Sequence, residues 1–231
     1  MSRVRWGYFV GLLSLAWGWG GAAANAGLIV SNLGGTVAGQ ADARANYQGQ
    51  KFTMGAVSHK LIDVVARVGG LTGSSAGVTA TLYGHDTVND LPDGTVLTTF
   101  VLPSLTSAVS DQVFTPVTSN VTLAANTSYW FVFGQTSAAP AATGLQWTYM
   151  TGGAVVGPGA TIDSRNLDWM PGASIGDINK AYPDEPFSLA INAVVPEPGS
   201  LALAVVGLAG LMAHRRRHSS TCPREKIPGP C

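Results

Sequence analysis

Between Gly27 and Val195 the chain is punctuated every few residues: short runs rich in β-branched and aromatic side chains alternate with Gly, Pro, Asn, Asp and Ser. That rhythm is the signature of an all-β sandwich or barrel. The runs predict strands at Leu28 to Leu33, Lys51 to Ala56, Leu61 to Val68, Val78 to Tyr83, Val96 to Leu102, Gln112 to Val117, Tyr129 to Gly134, Leu145 to Met150 and Phe187 to Val194. In Val78-Thr79-Ala80-Thr81-Leu82 the apolar residues fall on one face and the threonines on the other, a clear period of two. Leu61 to Val68 also fits helical spacing, but its β-branched residues and the Gly69-Gly70 stop favour a strand. Phe187, Leu189 and Ile191 repeat the alternation at the end of the segment, so the last strand is expected to be paired before the chain goes on. With no fixed-period repeat and no internal linker, residues 27–195 are expected to form a single antiparallel β-sandwich, jelly-roll-like in kind.

The ends of the chain are of another character. At the N-terminus Arg3 and Arg5 precede an apolar stretch from Trp6 to Trp19 and then small residues ending Ala24-Asn25-Ala26. This is the layout of a secretory signal peptide, residues 1–26, with Ala24 and Ala26 at the two selective positions and cleavage after Ala26. At the C-terminus stand Pro196-Glu197-Pro198, an uncharged apolar run from Leu201 to Ala213, and a basic block at Arg215, Arg216 and Arg217. Proline fixes φ and donates no backbone hydrogen bond, so Pro-Glu-Pro stays extended and accessible. The apolar run favours a transmembrane helix and the arginines favour the cytoplasmic side. Its thirteen residues span roughly 20 Å at about 1.5 Å each against a bilayer core of about 30 Å, which suits a temporary anchor.

This ordered tail resembles the PEP-CTERM sorting signal of exported Gram-negative bacterial proteins. The resemblance runs from Val195 to about Arg217. It implies that Pro196, Glu197 and Pro198 form the motif an exosortase recognises, that the helix holds the precursor in the inner membrane, and that the body is released or transferred outward. Such proteins are often associated with exopolysaccharide or biofilm matrix. The chain departs from the pattern in one respect: a polar, Pro-rich extension from His218 to Cys231 follows the basic block, and residues 218–231 read as a disordered tail. In the body, ATLYGHDTVNDLPDGTVL (Ala80 to Leu97), VTLAANTSYWFVF (Val121 to Phe133) and LDWMPGASIG with PFSLAINAV resemble the choice-of-anchor R domain, a β-rich extracellular module. That family brings architecture and location without a reaction.

Charge and cysteine content exclude other classes. Only 11% of the 231 residues are charged, against about 25% in ordinary soluble domains. Residues 27–195 hold eleven acids and six bases, an excess of five negative charges, so the body lacks the positive field that attracts nucleic acid. Cys222 and Cys231 both lie in the tail, which rules out a disulfide scaffold, and with no ligand cluster around them they carry no metal reading.

Few constellations in the body carry chemistry. Hydrolysis needs a nucleophile, a base and an orienting acid, yet the only histidines there are His59 and His85, and neither sits in a catalytic motif. Asp86, Asn89, Asp90 and Asp93 could offer oxygens to calcium, but their spacing departs from the EF-hand pattern and Pro92-Asp93-Gly94 suffices as a hairpin turn. Trp147, Tyr149 and Trp169 could stack on a sugar ring, although Trp147 and Tyr149, two apart, share a face that suits the core better than a ligand platform, because large aromatics are highly buried on average. Asn120-Val121-Thr122 and Asn126-Thr127-Ser128 match the glycosylation pattern by chance.

The expectation is therefore a non-enzymatic protein, exported through the Sec machinery, transiently anchored in the inner membrane, and sorted by an exosortase to the cell surface or exopolysaccharide matrix. No cofactor is expected. A glycan-binding module of the cell surface is the alternative reading, and a polysaccharide or cell-wall hydrolase the third.

Overall fold

The computed structural model describes residues 27–43, 46–135, 144–151, 155–169, 180–182 and 185–194, without the side chains of 169 and 180–182. They fall in one compact unit, Asn25–Pro196. The first half holds β1 (Gly27–Ser31), β2 (Val37–Asp42), β3 (Tyr47–Met54), β4 (His59–Gly69), β5 (Val78–Asp86), β6 (Leu91–Val101) and β7 (Ser110–Pro116). Then come β8 (Thr122–Leu123), β9 (Ser128–Gln135), β10 (Gln146–Met150), β11 (Val155–Val156), β12 (Ala160–Trp169), β13 (Lys180–Tyr182) and β14 (Leu189–Val194). The regular elements are all strands and their pairings are all antiparallel, as the punctuation predicts. The expected signal peptide and transmembrane helix fall outside the described residues. Among the described residues no helix is long and apolar enough to cross a membrane.

The segment that could have been a helix, now β4, organises one sheet. Its β-branched residues, poor in a helix and well placed on a pleat, pair on one edge with β14 from Lys60 to Ala66, then with β10 at Val68 and Gly69. The other edge takes β8 at His59 and Lys60 and β7 from Val64 to Val68. Beyond these, β1 adds to β14 and β2 to β10. The second sheet runs β6-β5-β9-β3-β12-β11, with β13 beside β12. Two residue pairs, Phe100↔Pro116 and Val101↔Thr115, join the sheets through β6 and β7. At the opposite margin the Gly159 N–H donates to the Ile29 carbonyl at 3.1 Å, so the sandwich is a flattened, nearly closed barrel. Only glycine allows that approach at residue 157, where a Cβ would stand 2.1 Å from the same carbonyl oxygen.

The core lies between the sheets and is anchored by β9. Its continuous apolar run is buried on both faces, as a central strand's must be. Phe131 points inward and meets Phe100, Phe114 and Trp147 edge-on at 5.2 to 5.5 Å between centroids, the arrangement that ring quadrupoles favour. On the outer face Trp130 and Val132 form a smaller cluster with Leu167, against which Tyr47, Tyr83 and Leu91 pack.

The structure corrects the sequence reading at the β5–β6 turn and in strands that reading did not predict, β2 and β12 among them. The chain turns at residues 87–90, not at Pro92-Asp93-Gly94, which lies inside β6. There the register slips between Tyr83 and His85, Gly94 takes φ 81°, and Pro92 stands on a stretch paired only with β5, where its missing N–H is tolerated. The ten-residue β12 has no counterpart among the predicted strands. Its pairing with β3 breaks between Ile162 and Asn166, and the polar residues of that bulge hide the alternation. Asn120 (φ 66°) and Asn126 (φ 52°), met as chance glycosylation matches, occupy left-handed turn positions that asparagine tolerates better than most residues.

Candidate functional site

The oxygen-rich loop after β5 is bound up with its own backbone. Asp86 accepts from the Val88 N–H (2.8 Å) and from the Asn89 amide (2.6 Å), which hold its carboxyl below the usual range. Asp93 accepts from the Thr95 N–H at 2.7 Å. Asp90, at φ 57°, turns toward Lys51 (2.7 Å) and the Arg165 guanidinium. The four residues singled out for calcium therefore serve three different partner sets. Among the described residues no group of three or more His, Cys, Asp or Glu is arranged to hold a metal ion.

Lys51, on β3, links Asp90 to Asp163 (2.9 Å) in the bulge of β12, and its ammonium stands 5.9 Å from the Trp130 ring centre. Burial opposes the charge of Lys51, but its two carboxylates outweigh burial and raise its pKa. Burial likewise pushes the Asp90 carboxyl up, and the Lys51 and Arg165 cations override it, leaving Asp90 below the usual carboxylate range. Beneath them the Trp130 indole N–H donates to His85 Nδ1 at 3.1 Å, which places the neutral ring's proton on Nε2, 3.6 Å from Asp90. The other body histidine, His59, is buried with Nδ1 2.9 Å from the Val57 carbonyl. The Lys51 network escaped the sequence reading because its members come from β3, the β5–β6 turn and the unpredicted β12.

The three rings proposed as a sugar platform separate. Trp147 is 0% exposed: it stacks on Phe187 at 4.5 Å and donates to the Ser188 carbonyl at 2.9 Å, offering no face to a ligand. Tyr149 shares its side of β10 but is half-buried and reaches a cleft. The ring of Trp169 lies outside the described side chains. Gly39, paired with Tyr149, is what lets the phenol lie against β2, since a Cβ there would meet its hydroxyl at 2.3 Å.

This cleft, about 270 Å³, opens where the sheets part: β2 and β10 of one sheet face β3 and β12 of the other. Asp42, Gln48, Tyr149, Asn166 and Asp168 line its walls, with Glu185 and Phe187 from the segment before β14. Gln48 donates to the Asp42 carbonyl at 3.1 Å, and the Asn166 amide donates to the Glu185 carbonyl. Phe187 is held by its backbone: Gln50 Oε1 accepts from its N–H at 2.7 Å, and Asn32 donates to its carbonyl at 2.9 Å. Of this set the sequence offered only Tyr149 as a ligand contact and Phe187 as a strand residue; the others are single polar residues brought together by pairings between distant strands.

The residues of the tail, Pro196, Glu197, Pro198 and Arg215 to Arg217, lie outside the described region, as do Ala24 and Ala26. The family model described as the PEP-CTERM protein-sorting motif matches residues 194–217. The chain thus carries the signal of an exported precursor that is held in the membrane and processed by an exosortase on its way to the surface. No curated protein matches the chain.

Proposed function

We propose that the protein is a non-enzymatic constituent of the surface or extracellular matrix of a Gram-negative bacterium, exported through Sec and associated with exopolysaccharide or biofilm once its tail is processed. The observation that carries this reading is the sorting motif, which begins at residue 194, the last residue of β14. The motif therefore begins at the last described residue of the body's final strand, Val194, which still pairs with Lys60. A folded body joined to a processed anchor is what surface display requires. The likeness to choice-of-anchor R domains supports the same reading. So does the bonding of His59 to a backbone carbonyl and of His85 to an indole, with neither bonded to a hydroxyl nucleophile among the described residues.

The test compares precursor size and location by immunoblot in cells with and without the exosortase. The wild-type chain should mature and co-fractionate with the polysaccharide matrix only when the exosortase is present. The variant with Pro196, Glu197 and Pro198 replaced by alanine should stay inserted but unprocessed, because the helix and arginines that set topology remain. A triple-alanine chain that matures like wild type would make Pro-Glu-Pro a mere linker and sink the proposal.

A further inference from the structure

We propose that the free edge of β2 pairs with the same edge of a second copy of the chain, joining two bodies about a two-fold axis through a continuous sheet. Among the described residues β2 pairs with β10 alone. The direction of that ladder follows from the Ala43 N–H, which donates to the Leu145 carbonyl at 2.9 Å. Alternate residues of an antiparallel pair turn their backbone groups toward the partner. Ala41 and Gly39, opposite Trp147 and Tyr149, therefore bond to β10 as Ala43 does. The N–H and C=O groups of Ala38 and Gln40 point the other way, where they meet no partner among the described residues. Val37, Ala38 and Gln40 are all exposed, so the way to this edge is open.

An open strand edge is a template for another strand unless charge, proline, a bulge or shortness blunts it. Other edges of the body are blunted in these ways. β6 carries Pro92, Asp93 and the left-handed Gly94, β7 carries Asp111 and Pro116, and β11 and β13 are two and three residues long. From Val37 to Ala41, by contrast, β2 has neither charge nor proline, and its register with β10 shifts only at the Val37 end.

The occupant is a second copy because the edge complements itself. With Gly39 on the two-fold axis, Ala38 faces the partner's Gln40 and Gln40 faces the partner's Ala38, so every free N–H and C=O of both residues bonds across the seam. The Gly39 pair between them is of the close, non-hydrogen-bonded kind, about 4.5 Å between Cα atoms, and glycine puts no side chain in the way. The Tyr149 phenol lies over Gly39, so each copy brings an aromatic cover to the pair, the arrangement that rescues glycine at a strand edge. Charge permits the same register. The body has an excess of acids, yet the two Asp42 carboxylates stand about six residues apart along the seam, roughly 20 Å, well past a Debye length of about 8 Å.

So few hydrogen bonds make a weak, reversible pair, and the test therefore traps it. In the full-length chain in detergent, with Cys222→Ser and Cys231→Ser throughout, Ala38→Cys and Gln40→Cys are made separately, mixed and oxidised. The mixture should give a disulfide-linked dimer of one variant with the other, since facing residues are about 5.5 Å apart at Cα. Either variant alone should stay monomeric, because its cysteines then stand diagonally, beyond the about 7 Å a disulfide can bridge. This contrast separates pairing at β2 from association through the tail, which would favour no register. Excess chain without either cysteine should suppress the cross-link by occupying the edge. The same excess carrying Gln40→Pro should not, because proline removes an N–H that faces the seam and not β10, and its melting temperature should match wild type. Absence of the mixed disulfide, equal linking of either variant to itself, or suppression by Gln40→Pro as strong as by wild type would overturn the proposal.

Discussion

Gln50 is wholly buried, and its amide serves as a rivet between strands that are far apart in sequence. Its nitrogen donates to the carbonyls of Lys51 (2.9 Å) and Asp163 (2.8 Å), with that of Arg165 at 3.2 Å, while its oxygen takes the Phe187 N–H. Gln50→Leu keeps the volume and strips every partner, so each orphaned group costs about 1–3 kcal/mol; urea unfolding should show a loss of several kcal/mol. Trp147→Ala should cost about 3–5 kcal/mol by the same measurement, since it deletes the ring on which Phe187 stacks and which Phe131 and Phe133 meet edge-on. A third expectation concerns acid. Because Asp90 is held below the ordinary carboxyl range, the folded chain binds that proton less readily than the unfolded chain. The stabilisation is complete above the unfolded value, near pH 3.9, and is lost as pH falls through the lower folded value. Asp90→Asn should therefore lower the melting temperature at pH 6, and the difference from wild type should shrink progressively as the pH is taken below the ordinary carboxyl range. Trp147, as a large aromatic on a β-run, was open to reading in the sequence; Gln50 was not, because nothing local distinguishes a glutamine that plugs a bulge from one that faces solvent.

The strands that could be read from sequence are those whose burial is regular, and those missed are those whose regularity is interrupted. Leu61 to Val68 was recognisable because β-branched residues dominate it, and β9 because both of its faces are covered. By contrast β2, Val-Ala-Gly-Gln-Ala-Asp, is mostly small and exposed, and β12 carries four successive polar residues, Asp163 to Asn166, where it bulges. Since the cleft is walled by these two strands, the site stayed hidden although the fold class did not. β14 was legible and proves central, hydrogen-bonded to β1 on one edge and β4 on the other. A chain ending at residue 188 should consequently fail to fold, because β1 loses its sheet partner and β4 most of one edge, whereas one ending at residue 195 should fold. Circular dichroism of the two, starting at Gly27, distinguishes them; a cooperative β-sheet melt from the shorter chain would refute this placement of β14.

At the scale of the molecule the first and last strands close the sheet together. Gly27 pairs with Ala193, so the two ends of the body are neighbours. Joining residue 194 to Gly27 through a short Gly-Ser linker and opening the chain beside Val88, 88% exposed in the β5–β6 turn, should preserve the fold; a permuted chain without a cooperative melt would count against the closure. Reductant should leave the fold's stability unchanged, because both cysteines of the sequence, Cys222 and Cys231, lie beyond β14. The same pairing has a mechanical consequence. Tension entering through the tail runs along β14, while the hydrogen bonds to β1 and β4 stand across it. They are loaded side by side in shear and must yield together, whereas a strand pulled sideways unzips one bond at a time. A surface protein tugged by flow is held by its most load-bearing seam, and single-molecule stretching from residue 194 against the Tyr149 end should rupture at higher force than stretching across the β5–β6 hairpin.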